Sequence, residues 1–216
     1  MRIGGSDFKD NPDIFLEEAP ILDWVNLPPT AKAVSLWDCL HDAQIHSIRS
    51  DLLKRTMDLL CEIEHLREFH KLASKLEFIL HLEGLQSARV VRYAIWPGGC
   101  SIPTGSSADE QRRIVAEYQS KWREESSSWT EFESSIKREN EQVFDISDAA
   151  ITASSEGAVA LKISGHVNHA AYHEVNLRFD ALRINGSDGR EFELEEFLRL
   201  GESYWAAFSA RGSSTS

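Results

Sequence analysis

Residues 40–48 read LHDAQIHSI and residues 146–154 read ISDAAITAS, so Asp-Ala-x-Ile stands at 42–45 and again 106 positions later at 148–151. In both places apolar side chains begin to alternate with polar ones, the pattern of a strand with one buried face. The first copy continues with Met57, Leu59, Cys61 and Ile63, then Phe78, Leu80 and Leu82 up to Gly84, then Val90, Val91, Tyr93 and Ile95, which read as a fourth strand or as an extension beyond a bulge. The second continues with Val159, Leu161 and Ile163, then Val175, Leu177, Phe179, Ala181 and Leu182. Three segments agreeing in order predict an internal duplication of one antiparallel β-meander unit, with Ile45 equivalent to Ile151 and Leu80 to Leu177. Chance agreement of strand patterns is the alternative, since alternation is common to all half-buried strands. Residues 65–72 read either as a hairpin loop or as a helical turn. Asn185-Gly186, followed by Ser187-Asp188-Gly189, predicts a tight turn in which glycine supplies a positive φ.

Between the copies, residues 107–140 are rich in helix formers and carry Ile114, Tyr118 and Trp122 at four-residue spacing, then Trp129, Phe132 and Ile136. Ser107 with Glu110, and Ser128 with Glu131, have the spacing of capping boxes, which predicts two helices broken near Ser126–Ser128. Their aromatic stripe is expected to lie against the sheets. NLPPT at 26–30 and WPGGCSIPTGSS at 96–107 interrupt regular structure through proline and glycine. The fold class expected is α+β: two antiparallel meander units joined by a helical segment at about 107–140. By segment, 14–106 is the first β-unit with an N-terminal stretch, 107–140 the helical connector and 141–207 the second β-unit. Residues 1–13 and 208–216 are expected to be flexible, and the rest to form one globular domain.

With 216 residues, 42% apolar composition and six tryptophans, the chain has enough hydrophobic material for a core without disulfides. Its three cysteines, Cys39, Cys61 and Cys100, lack metal-like spacing and suit a reducing compartment. The first residues lack the basic-then-apolar profile of a signal peptide and no run approaches a membrane span, so a cytoplasmic protein without membrane attachment is expected. A net charge of −12 disfavours nucleic acid and favours a protein partner with a basic contact surface. Glu64, Glu68, Glu174 and Asp188 are the acidic residues expected near recognition loops. Nothing in the pattern sets an oligomeric state.

The chain carries eight histidines, the side chains most able to offer catalytic chemistry near neutral pH. His166, His169 and His173 fall between two strands of the second copy, and His65 and His70 in the corresponding place of the first. Converging loops of this kind would offer neutral imidazoles to zinc. The spacing matches no metalloenzyme signature, so these are candidate ligands only, and the expectation is no metal and no cofactor. A metal-dependent enzyme with a site built from the His-bearing loops is the alternative reading. Cys39, His41 and Asp42 lie within four residues of one another, but a catalytic trio is normally assembled from distant segments. Asp42 and Asp148 read instead as turn residues at strand starts. Neither a P-loop nor a dinucleotide-binding glycine pattern is present, and GSDG at 186–189 lacks the further acids of a calcium loop.

Trp37-Asp38-Cys39-Leu40-His41-Asp42-Ala43, the alternating strand after it, and the later strand ending in Glu83-Gly84-Leu85 resemble the Trp, His-Asp-Ala and late Gly pattern of small bacterial immunity-type domains, such as the immunity protein 50 family. The likeness spans about residues 37–95. The second copy keeps Asp148 and Ala149 but has Ser147 in place of His41. The resemblance implies a non-enzymatic cytoplasmic protein that binds and neutralises a toxin domain, with no catalytic residue.

Overall fold

The computed structural model describes residues 32–94, 102–121, 123–125, 127–137, 142–153, 159–167 and 171–212. Among them, eleven strands form one antiparallel sheet, accompanied by five helices. β1 (Lys32–Ser35) leads into the short helix α1 (Trp37–Leu40), then β2 (Gln44–Asp51) and β3 (Thr56–Glu62). Helix α2 (Glu64–Phe69) settles the ambiguous stretch after β3 as a helix. β4 (Phe78–Glu83) and β5 (Ser87–Ala94) follow. Then come α3 (Ala108–Gln119), β6 (Arg123–Glu125) and α4 (Trp129–Ser135). The second half holds β7 (Phe144–Ala153), β8 (Val159–Val167), β9 (Ala171–Phe179), β10 (Ala181–Gly186), β11 (Glu191–Phe192) and α5 (Leu194–Gly212). Each run expected from alternation falls on strand, with three differences: Ile63 stands just past β3, the run from Val175 to Leu182 is divided at Asp180 between β9 and β10, and Ile95 lies outside the described residues. Of the alternating apolar positions, Leu59, Ile63, Phe78, Leu80, Leu161, Ile163, Leu177 and Phe179 are all buried, as is Phe132 of the aromatic stripe; Trp122 lies outside the described residues.

Strand order is β11-β10-β4-β3-β2-β7-β8-β9-β5-β6, with β1 extending the sheet beside β7. β2, β3 and β4 pair in sequence order, as do β7, β8 and β9, and β2 meets β7 through Gln44–Asp145 and Ile45–Phe144. The fourth strand of each set then crosses over: β5 pairs with β9 and β10 with β4. At the crossing, Asp180 N–H donates to the Glu83 carbonyl at 2.9 Å and Gln86 N–H to the Arg178 carbonyl at 2.7 Å. Thus β4–β5 and β9–β10 act as two bent strands paired along both limbs, and the sheet closes on itself around one core. Gly84 makes the crossing possible. Its φ is +63°, and a Cβ there would lie 1.9 Å from an Asp180 carboxylate oxygen.

A β-bulge follows Ile45 in β2 and another follows Ile146 in β7. The Ile151 of the repeated Asp-Ala-x-Ile lies further along β7, opposite Leu161. Asp42 is a turn residue, with φ +63°, but Asp148 is not: it sits within β7, opposite Ser164. In the GSDG turn the positive φ belongs to Gly189 rather than Gly186. The caps hold as expected, Ser107 accepting from Glu110 N–H and Ser128 forming a reciprocal box with Glu131. Strand β6, however, interrupts the helical connector. The largest departure is α5, nineteen residues of helix where the second β-unit was expected to continue, running through the boundary drawn at 207. Among the described residues no helix is long and apolar enough to cross a membrane.

Candidate protein-binding face

α5 lies across α1, and one glycine allows it to come close. A Cβ on Gly201 would stand 2.6 Å from the backbone carbonyl of Asp38 and 2.8 Å from Cys39 Sγ. The contact buries Cys39, whose thiol donates to the Phe197 carbonyl at 3.2 Å. Burial pushes that thiol up to about 12, so Cys39 is protonated at neutral pH and is no nucleophile. Trp205 is tied to the same turn of α1, its indole N–H donating to the Asp38 carbonyl at 2.9 Å.

Fixing α5 on α1 assembles a run of rings. Trp37 stacks on His41 with centroids 4.5 Å apart and meets Trp205 at 4.8 Å. His41 is held in place by Nδ1, which donates to the Ser147 carbonyl at 3.0 Å, since a carbonyl oxygen can only accept. From α2, His65 meets Tyr204 at 4.8 Å and Phe69 meets Tyr204 edge-on at 5.6 Å. Trp205 and Phe208 continue the run at 5.6 Å. Trp37, Phe69, Tyr204 and Trp205 are half-buried, and Phe208 is 57% exposed, so rings that would normally lie in a core reach the surface here.

Acidic groups surround them. α1 and α2 contribute Asp38, Glu64 and Glu68, and Asp42 follows α1; Glu202 lies on α5. The cation within α2, Arg67, is already engaged, 2.6 Å from Glu62 and 3.6 Å from Glu64. Of the four acids expected to bind a partner, Glu64 and Glu68 are exposed residues of α2. Glu174 does not lie in a loop; it is in β9, with an oxygen 2.8 Å from Lys162 Nζ. Asp188 is in the β10–β11 turn, where it accepts the Arg190 backbone N–H.

The candidate metal ligands are dispersed. His65 is on α2 and His70 caps its C-terminal end, and both are used against α5: His65 packs on Tyr204, and His70 Nε2 donates to the Leu200 carbonyl at 2.9 Å. Burial pulls the His65 ring below its ordinary value, outweighing the Asp38 backbone oxygen and the Asp42 charge. His166 and His173 are strand residues, not loop residues. His166 is paired with Tyr172, so His173, one residue on, points to the opposite side of the sheet. There it lies against Phe132 at 5.4 Å and Phe144 at 6.4 Å, only 7% exposed. His169 lies outside the described residues. Among the described residues no three His, Cys, Asp or Glu side chains are grouped so as to hold a metal ion.

The aromatic face was missed in the sequence because its main contributor, α5, was missed. The signal was present: Leu194, Phe197, Leu198, Gly201, Tyr204, Trp205 and Phe208 recur at three- and four-residue spacing. Compared with known proteins, the chain matches no family model, no curated protein and no solved structure.

Proposed function

We propose that the chain is a non-enzymatic binding protein whose α1–α2–α5 face docks onto a basic surface of a protein partner. The observation that carries this reading is the contiguous aromatic run from Trp37 through Trp205 to Phe208, half-exposed and bordered by Asp42, Glu64, Glu68 and Glu202. Tryptophan and tyrosine concentrate binding energy at interfaces because rigid rings bury much apolar area for little lost rotamer freedom. The acidic border and the net charge of −12 would steer an oppositely charged partner. An immunity-type role, neutralising a toxin domain in the cytoplasm, is the form of this reading that the resemblance favours. Trp37, His41 and Asp42, which carry that resemblance, all sit on this face.

The test is capture of the partner from native lysate, followed by binding kinetics with Glu64→Lys/Glu68→Lys and with Phe208→Ser. The charge variant should slow association about tenfold at low salt and lose most of its effect as salt rises. Phe208→Ser should act on dissociation. A partner bound equally well by both variants would assign binding to another face.

We infer, as the finer form of the fold, that the two halves arose by duplication. Matched bulges support this, and so does the pairing that follows from them. Cys61 faces Phe78 where Gly165 faces His173, and Met57 faces Leu82 where Leu161 faces Leu177. On this alignment Leu80 corresponds to Val175, and Phe78 to His173. Each half donates its fourth strand to the other.

A further inference from the structure

We propose that the hollow between the β1–β7–β8 wall and the β10–β11 hairpin is a binding site for a small organic cation with an apolar body. Val34 of β1, Ile151 of β7 and Val159 of β8 form one side; Leu182 and Ile184 of β10 and Phe192 of β11 form the other. The cavity measures about 370 Å³, at the low end of the roughly 300–1,000 Å³ of small-molecule sites. Its lining is mainly aliphatic, so the enclosed part of a ligand gains by leaving water and needs no hydrogen bonds.

The charge at the mouth selects the ligand's polar end. Arg183, Glu191 and Glu193 line it. Arg183 is ion-paired with Glu83, and the neighbouring Arg190 with Glu196, so both cations are already matched. The carboxylates of Glu191 and Glu193 have no hydrogen-bond or ion-pair partner among the described residues. An anionic headgroup would meet two uncompensated negative charges, and an uncharged one would leave both unpaired. A cationic headgroup is the complement, and the Phe192 ring already accepts one cation, with the Arg190 guanidinium carbon 4.4 Å from its centroid.

The probe is octyltrimethylammonium, compared with octyl sulfate and 1-octanol below their micellar concentrations. Each is titrated into the full chain while the methyl resonances of Val34, Ile151, Val159, Leu182 and Ile184 are followed. The ammonium probe should shift these methyls saturably and bind about tenfold more tightly than the sulfate, the two surface carboxylates each contributing a few-fold. Glu191→Gln/Glu193→Gln, on the surface, should bring the two affinities to within about threefold of each other. Ile184→Trp should abolish binding by filling the hollow; methyl mapping on the unaltered chain decides the question if that variant fails to fold. Four results overturn the proposal: no saturable shift, shifts confined to other methyls, equal uptake of the sulfate, or a cation preference that survives removal of both carboxylates. Shifts at these methyls that grow with protein concentration alone would assign the hollow to a second copy of the chain, and would overturn it too.

Discussion

Replacing His173 by Phe should make the protein markedly more resistant to acid. His173 faces the core rather than solvent, beside Phe132 and Phe144, and its Nδ1 has no hydrogen-bond partner. Burial is the main reason its value falls from the ordinary 6.5 to about 4; nearby Arg92 and His166 lower it further, and the Ala171 backbone opposes them. The folded state therefore resists the proton that the unfolded chain accepts. Stability carried by the neutral ring is complete above 6.5 and is lost as pH falls toward 4. Worked through, the loss is about 2 kcal/mol between pH 7 and pH 5, and about 3 kcal/mol by pH 4. His173→Phe removes that component and the orphaned ring nitrogen together. Phe132 and Phe144 pack against it, and on the duplication proposed above its counterpart is the fully buried Phe78. Urea melts of both proteins at pH 7, 5 and 4 measure the difference directly. At pH 7 the variant should be equal to wild type or more stable by about 1 kcal/mol. Its advantage should then widen by about 2 kcal/mol at pH 5. Parallel stability curves over that range would refute the reasoning, since a ring that protonates equally in both states contributes no pH dependence. A variant that is several kcal/mol less stable at pH 7 would show that the two halves do not offer equivalent space.

Gly84→Ala should cost about 2–4 kcal/mol, because it combines a left-handed backbone with a collision against Asp180 at the strand crossing, read as a lower urea midpoint. Leu80→Ala should cost about 2–5 kcal/mol by opening a cavity in the core; a loss under about 0.5 kcal/mol in the same assay would show that the side chain is not core. Lys71 ends α2 in a left-handed conformation, φ +52°, with Leu72 N–H bonded back to the Arg67 carbonyl and Lys71 N–H to that of Glu68. That is the geometry glycine prefers after a helix, so Lys71→Gly should raise stability by about 0.5–1 kcal/mol, seen as an upward shift of the thermal midpoint.

The strands were legible in the sequence because a strand writes its buried face as a two-residue period, and Met57, Leu59 and Cys61 or Phe78, Leu80 and Leu82 do so without interruption. The caps of α3 and α4 were legible for a similar reason: a serine three residues before a glutamate acts on its own turn. The partner of each strand was not written locally. Nothing near Val90 or Leu182 says that β5 and β10 exchange places, since antiparallel pairing leaves the same alternation whichever neighbour supplies the hydrogen bonds. That choice was made by the close approach of Gly84 to Asp180, nearly a hundred residues apart in the chain. The same holds for the histidines and the aromatic face. His166 and His173 look like one cluster in a line of text, yet the pleat sends them to opposite sides of the sheet. Trp37 and Trp205 stand at opposite ends of the described chain, and only the contact of α5 over Gly201 puts their rings 4.8 Å apart. Periodicity and capping are decided within a few residues by backbone geometry, so the sequence alone determined the long strands and the starts of α3 and α4; which faces meet depends on burial shared between distant segments, so the sites came into being only with the tertiary fold.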